Sequence, residues 1–576
     1  MYLSPEEKQV GKQNFNTAAA YGLSRRDLLK GTIAAGVVAG GGLGTFYYGY
    51  GKSLGKPLRV GVIGTGDEGN VLLGAVNRDF IQVVAIADIR PYNVYRAFHG
   101  DWYTEDQLKA RPGLMAKYGW KTEDEARKHV KVYDQDYKEL INDPNVEAIV
   151  IGLPLHLHAP VAVEAMEAGK HVLTEKLMAK TVGECKKMAE VAAKTGKILA
   201  VGHQRHYNIL YDNAVDMIKS GLLGKLHYIH AQWHRGNMPM KDSWAPPLPP
   251  GVRKVLTSDD KDDDQKLVKQ LKSWKKRLEE ARGKEIDLWQ KRVAQLEAQF
   301  RDKEVDAGKH QYENKVVKDA AGKVQYEASP LEELIRWRIW QRTGGGLMVE
   351  LGSHQLDAAS IFIAAQHGGK KQHPLSVSAV ANRNLFEWTR EIEDHIHCVL
   401  EFPGPDYDPK DPLKKLRKIA VAYSSIEGNG FGGYGETVYG TKGTLILEKE
   451  KESMLFSLAD TKSKIEVKEG KGGPTMDTQA SPGGGGHAAA QGAAAIGADV
   501  SRGYREELEH WAWCIRNPDP NNKPRCRPEV ALGDAVIALT TNLAARKGLR
   551  INFKEEWFDP NRPETPETDP EISKGA

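Results

Sequence analysis

The stretch LRVGVIGTGDEG, residues 58–69, constrains this chain more than any other. A short β-branched apolar run leads straight into GxGxxG, and NVLLGAVN (70–77) after it has helical spacing. Gly64 permits a tight turn, Gly66 lets the backbone approach a pyrophosphate, and Gly69 lets helix and strand pack closely. The helix N-terminus then faces the phosphates. IQVVAIAD (81–88) reads as a second strand, and Asp88 at its end lies nineteen positions past Gly69. A carboxylate there accepts hydrogen bonds from the adenosine ribose hydroxyls and repels a 2′-phosphate, which predicts NAD. Arg90, two residues on, is the group that would admit NADP.

The alternation continues. VEAIVIGLP (146–154), HVLTEK (171–176) and KILAVGHQ (197–204) read as strands; HAPVAVEAMEAG (158–169) and VGECKKMAEVAAKTG (182–196) read as helices. Continuous apolar strands alternating with helices predict an α/β domain over 57–205 with a doubly wound parallel sheet. Ligands lie at the carboxyl ends of such strands, which makes Pro154 and His158 expected cofactor neighbours.

After residue 205 the strand-like runs alternate more strongly, as in KLHYIHAQWHR (225–235), DHIHCVLEF (394–402) and KIAVAYSSI (418–426). They predict a second, α+β domain over 206–557 with a large, mostly antiparallel open sheet. Residues 247–330 interrupt it with dense charge and helical spacing at Leu267, Leu271, Trp274 and Leu278, which reads as a solvated helical hairpin. Residues 469–500 are Gly/Ala-rich and read as a flexible loop; 558–576 form a Pro- and acid-rich tail.

The 576 residues carry a net charge of +4, too near neutral to indicate a nucleic-acid partner. None of the four cysteines forms a CxxC pair, and no histidine set carries a carboxylate at ligand spacing, so no metal site is expected. Cys514 and Cys526 are either unpaired core thiols or, in an oxidising compartment, a disulfide. SRRDLLKGTIAAGVVAGGGLG (24–44) places Arg25 and Arg26 before a weakly apolar run, the twin-arginine export pattern. Residues 1–56 are therefore read as a signal or N-terminal anchor with its linker, and the protein as exported to the periplasm or anchored facing it. Any membrane contact would run through that anchor.

GVIGTGDEG, IADIRP, GLPLHLHAPVAVEAMEAGKHVLTEKLMA and GGGLMVELGSHQLD together resemble the glucose–fructose oxidoreductase/inositol dehydrogenase family (Gfo/Idh/MocA), over about residues 57–250 and 335–555. The resemblance implies an N-terminal Rossmann domain, a C-terminal domain whose open sheet shapes a sugar site, and a homo-oligomer. It implies oxidation or reduction of a ring hydroxyl of a sugar or cyclitol with NAD(P). The family's Glu-Lys-Pro maps to Glu175 and Lys176, but Leu177 stands where the family has proline. Its Asp-His-Asp set maps to Glu350, His354 and Asp357, spaced i, i+4 and i+7, which on a helix share one face. Lys176 and His354 are then the expected general bases, the lysine with a lowered pKa, and Glu350 orients His354 or binds a hydroxyl. Glu175 sits on the cofactor side, and Arg205, His234, Arg235 and Asp357 are expected to meet substrate hydroxyls.

Two other functions fit the same residues. The first is an NAD-retaining glycoside hydrolase that works by oxidation and elimination, a chemistry some members of the family use. The second is a non-catalytic binding protein on a Rossmann scaffold, which the departures at Leu177 and Glu350 would suit.

Overall fold

The computed structural model describes residues 3–30, 55–386, 389–470, 473–478 and 502–574. The apolar run of the export pattern, and the Gly/Ala-rich stretch from 479 to 500, lie outside the described residues. Among the described residues no helix is long and apolar enough to cross a membrane.

Six parallel strands form the first sheet: β1 (Leu58–Ile63), β2 (Ile81–Ala87), β3 (Lys131–Tyr133), β4 (Ala148–Ile151), β5 (His171–Glu175) and β6 (Leu199–Gly202). Their spatial order is β3-β2-β1-β4-β5-β6, the doubly wound pattern. Strands β4 and β6 are buried along their whole length because helices cover both faces of the sheet. The helix after β5, Val182–Thr195, starts at a capping box in which Thr181 and Glu184 satisfy each other's backbone N–H groups.

After a separate hairpin of β8 (Lys315–Lys318) and β9 (Val324–Ala328), the second sheet has eight strands in the order β15-β14-β13-β7-β12-β11-β10-β18, with β10 at Ser376–Asn382, β14 at Gly443–Glu448, β15 at Glu452–Ser457 and β18 at Arg550–Asn552. Its centre is β7 (Leu226–Arg235) against β12 (Lys418–Glu427), a parallel pair; β13 (Tyr434–Gly440) and β11 (His395–Pro403) flank them antiparallel. On β12 buried residues alternate with half-buried ones, so one face packs and the other stays open. The domain assignment crosses the chain once more. The helix Tyr504–Arg516 lies within the span read as the second domain, yet its Leu508 and Trp511 pack with Val60, Leu72 and Val150 of the first core.

Three segments differ from the sequence reading. Helix α1 (Pro5–Lys30) runs up to and through Arg25–Arg26, and its Phe15, Ala18 and Ala19 are buried. It packs on β15 (Glu452–Ser457), with Lys8 paired to Glu448 at 2.7 Å and Asn14 Nδ2 donating to the Ser463 carbonyl at 3.1 Å. Part of the Gly-rich region is ordered as a hairpin, β16 (Ile465–Gly470) with β17 (Gly473–Thr478).

The charged insertion is the third. It is not a free arm. Its helix Lys284–Arg301 packs on the helix Pro91–His99 that follows β2, burying Gln295 and Leu296 completely. Gln295 is polar and is held by Asp101 and the Trp102 N–H, so the contact has no apolar signature in the sequence.

Candidate active site

The glycine turn forms as the motif requires. Gly64 takes φ +86°, and a Cβ at Gly69 would overlap the Gly64 carbonyl oxygen. A Cβ at Gly66 would meet only Asn93 Nδ2, at 4.0 Å, so the turn leaves open space where a diphosphate would approach. Gly66 caps the helix Asp67–Ala75 with no side-chain acceptor, which leaves its first N–H groups for a ligand. Asp67 at this turn would repel phosphate, but Arg96 pairs with it at 2.7 Å.

Asp88 ends β2 as predicted. Its Oδ2 accepts from Thr65 N at 2.7 Å and its Oδ1 from Arg90 N at 2.9 Å, so it also ties the two loops together. Arg90 does not reach toward the cofactor's ribose edge as a free cation. Both its Nε (3.0 Å) and Nη2 (2.8 Å) donate to Asp302, from the insertion, which also accepts from Tyr92 N at 3.1 Å. That commitment removes the group that would have admitted NADP. Tyr312, 5% exposed and also from the insertion, lies close enough for the Asp88 charge to act on it. Sequence reasoning missed Asp302 and Tyr312 because Asp302 meets Arg90 across 212 positions, beyond any local motif.

At the carboxyl end of β5, Lys176 Nζ donates to the backbone carbonyl of Glu350 at 2.8 Å. The next peptide, Lys176–Leu177, is cis. Leu177 is fully buried, and its carbonyl accepts from His158 Nδ1 at 2.8 Å, while His158 Nε2 lies 2.9 Å from the Leu153 carbonyl. His158 therefore joins the loops after β4 and β5, and Pro154 opens the short turn between them. Its action on a cofactor is through the backbone it holds.

The second motif does not form one regular helix. Met348–Gly352 is a π-helical turn leading into α-helix Ser353–Gln366. Such turns re-aim side chains that an even 3.6-residue period would stack. Glu350 Oε2 thus accepts from Arg338 Nε at 3.0 Å rather than meeting His354. His354 is 8% exposed, with its ring centroid 5.2 Å from that of Trp233. Burial first, then the Lys176 and Arg205 charges, push its pKa well below the usual range, which leaves the imidazole neutral and able to accept a proton. Before it, Gly345 and Gly346 take φ +91° and +93°, and a Cβ at Gly346 would strike Glu393.

Four expected substrate contacts sort differently. Arg235 lies on the same strand face as Trp233, in reach of the Glu350 and Arg338 charges. His234, one residue before it, points to the opposite face, where it bonds to the Phe431 carbonyl at 2.8 Å and Ser424 Oγ at 3.2 Å. Arg205 is 1% exposed and spent on Glu450 (2.8 Å), Glu436 (2.9 Å) and the His354 carbonyl (2.6 Å). Asp357 is 1% exposed and accepts from His206 at 2.9 Å. These last two are buried framework, not hydroxyl binders. All four cysteines are buried and unpaired, so Cys514 and Cys526 form no disulfide.

Glu175 is 6% exposed; its Oε2 accepts from Lys176 N at 3.3 Å, and among the described residues its Oε1 has no hydrogen-bond partner. Burial, then the Glu68 charge, push its pKa well above the ordinary carboxyl range. A raised carboxyl pKa contributes stability that is fully present below the unfolded value of about 4.3 and is lost as pH rises through the folded value. Glu175→Gln should therefore shrink the fall in ligand-free Tm between about pH 5 and pH 8. Thermal melts of both proteins across that range check it, and an unchanged pH slope would refute it.

Residues 58–203 match the model of the family described as "Oxidoreductase family, NAD-binding Rossmann fold" (GFO_IDH_MocA). A 1-carboxy-3-chloro-3,4-dihydroxycyclohexa-1,5-diene dehydrogenase of Comamonas testosteroni is 32% identical over 175 residues, 30% of this chain and 37% of that protein. An alpha-N-acetylgalactosaminidase of Shewanella oneidensis is 27% identical over 179 residues, 30% of this chain and 35% of that one. The chain spans 33–41% of the length of the first curated relatives it matches. Among solved structures, levoglucosan dehydrogenase in complex with NADH and L-sorbose aligns with 87% of this chain and 100% of its own, at 14% identity and TM-score 0.50. That likeness is one of fold, across both sheets. Residues 58–203 are thus similar to the NAD-binding Rossmann domain of the Gfo/Idh/MocA oxidoreductases, the family that the chain's motifs resemble.

Proposed function

We propose that this protein is an NAD-dependent oxidoreductase acting on a ring hydroxyl of a sugar or cyclitol. The observation that carries the reading is Lys176. It stands at the carboxyl edge of the dinucleotide-binding sheet, held against the helix turn that bears Glu350 and His354. NAD, when bound, supplies the hydride acceptor or donor.

The residues present fit that cofactor. The open space at Gly66, the uncapped helix start and the acid at Asp88 suit a diphosphate and a 2′-hydroxyl. Opening a secondary alcohol also requires its proton. The neutral His354 imidazole is the acceptor for it, and Lys176 Nζ can donate a hydrogen bond to the developing alkoxide. Arg235 and the Arg338–Glu350 pair offer donors for neighbouring hydroxyls. Lys176→Met should lower turnover about 10²–10⁴-fold while NAD binding persists. A sugar and cyclitol screen followed by nicotinamide absorbance reads this, and full turnover in the variant would sink the assignment.

A second reading is favoured by one observation. The insertion roofs the adenosine side of the crevice through Asp302, Tyr312 and the packed helix Lys284–Arg301. A covered cofactor suits an enzyme that keeps its NAD through each cycle, as a glycoside hydrolase working by oxidation and elimination must. Asp302→Ala removes a charge-assisted clamp worth about 1.5–3 kcal/mol, so nucleotide should leave on dialysis about tenfold faster or more. Mass spectrometry of nucleotide released by denaturation, before and after dialysis, measures it; equal retention would show that the roof does not hold the cofactor.

Export is proposed from the order Ser24-Arg25-Arg26-Asp27-Leu28-Leu29-Lys30. Residues 1–56 fused to a reporter should be exported, and Arg25→Lys with Arg26→Lys should abolish it; unchanged export would remove the twin-arginine route.

A further inference from the structure

One turn behind His354 lies a buried cluster the reaction does not use. His203 follows β6, Asp357 is on the His354 helix, Asp534 is on the helix Pro528–Lys547, and Cys526 lies just before that helix. They are 1%, 1%, 2% and 1% exposed. His203, Cys526 and Asp534 each bring one donor atom to within 4.8 Å of the other two. Asp357 Oδ2 is 3.5 Å from His203 Nδ1, without hydrogen-bond geometry.

The hydrogen bonds around these residues are lopsided. Among the described residues neither nitrogen of His203 has a hydrogen-bond partner, nor does Oδ2 of Asp357 or of Asp534. The opposite carboxylate oxygens are held. Asp357 Oδ1 accepts from His206 Nε2 at 2.9 Å, and Asp534 Oδ1 accepts from Lys371 Nζ. A fully buried imidazole with two idle nitrogens is costly, since burial of an unsatisfied polar group costs about 1–3 kcal/mol. Anchoring one carboxylate oxygen while the other stays idle is how outer contacts orient metal ligands.

We propose that His203, Cys526, Asp534 and Asp357 bind one divalent zinc-class ion in a closed, structural site. The donor set, one imidazole, one thiolate and two carboxylates, is one that zinc accepts at four-coordinate sites. Binding releases the thiol proton of Cys526 to solvent. Charge then balances: two carboxylates and a thiolate against the ion and Lys371. Complete burial leaves no position for water or substrate, so the ion would brace rather than react. It would join β6, the His354 helix and the helix after Cys526, whose carbonyl already accepts from Val201 N at 3.1 Å.

The test needs no activity. Protein purified without chelator, or dialysed against zinc and desalted, should hold about one zinc per chain by elemental analysis. After chelation and cobalt loading, a thiolate-to-cobalt absorption band with tetrahedral ligand-field bands should appear. Cys526→Ser, the mildest change, should abolish the thiolate band and reduce zinc content; His203→Gln should do the same. Zinc should raise the wild-type Tm and not that of the variants. Less than about a tenth of an ion per wild-type chain after zinc dialysis would overturn the site. So would full zinc retention in both variants, which would place the ion elsewhere.

Discussion

The arrangement of the candidate active site depends on one buried cation. Arg205 leaves the end of the first sheet, bonds Glu450 and Glu436 of the second, and donates to the carbonyl of His354. Gln355 and Tyr211 complete Glu436, at 2.9 and 2.8 Å, and Arg502 completes Glu450 at 2.6 Å. The Glu436 and Glu450 side chains are fully enclosed. Burial lifts the Glu436 pKa to about 7 even beside Arg205, so at this carboxylate desolvation outweighs the attraction. The network therefore adds little net stability while intact. Loss of one partner costs about 3–5 kcal/mol, because the others stay buried and unpaired. What it supplies is geometry, fixing the two domains and the His354 helix in one register.

The readable parts of this protein are those where function is written in consecutive residues. Gly64, Gly66, Gly69 and Asp88 act within one strand–turn–helix–strand unit, and the structure places them as that unit requires. Lys176 and His354 were singled out by the family resemblance, and the structure holds Lys176 Nζ against the Glu350 carbonyl on the turn that leads to His354. The unreadable parts act at long range. Arg205 looked like a substrate contact because it follows a strand at the crevice; its burial depends on acids 231 and 245 positions away. His234 and Arg235 were taken together, but strand alternation sends neighbours to opposite faces, and only packing on Trp233 says which face matters. The i, i+4, i+7 pattern at 350–357 assumed an even helix, and the π-helical turn breaks that assumption.

The charged insertion shows how composition misleads. Dense charge normally marks a solvated face, and much of the hairpin is exposed. Yet the carboxylate of Asp302 is fully buried on Arg90, and Gln295 bonds Asp101 and the Trp102 N–H at 2.9 and 2.7 Å. A few polar residues facing inward satisfy exposed backbone and side-chain donors of the first domain. They dock the hairpin onto the first domain beside Asp88 and the helix after β2.

The departure from proline at Leu177 then has a physical account. Proline would restrict the backbone after Lys176 by its ring. Here the same backbone is restrained from outside: the Leu177 side chain is fully buried, its carbonyl is held by His158, and Lys176 Nζ is held by the Glu350 carbonyl. The His158 contact reaches back to Leu153 at the end of β4, and the Glu350 carbonyl belongs to the turn that leads into the His354 helix. The aim of Lys176 is thus a property of three loops packed together rather than of one residue type. A leucine is sufficient there because its burial and those two hydrogen bonds fix what the ring would have fixed.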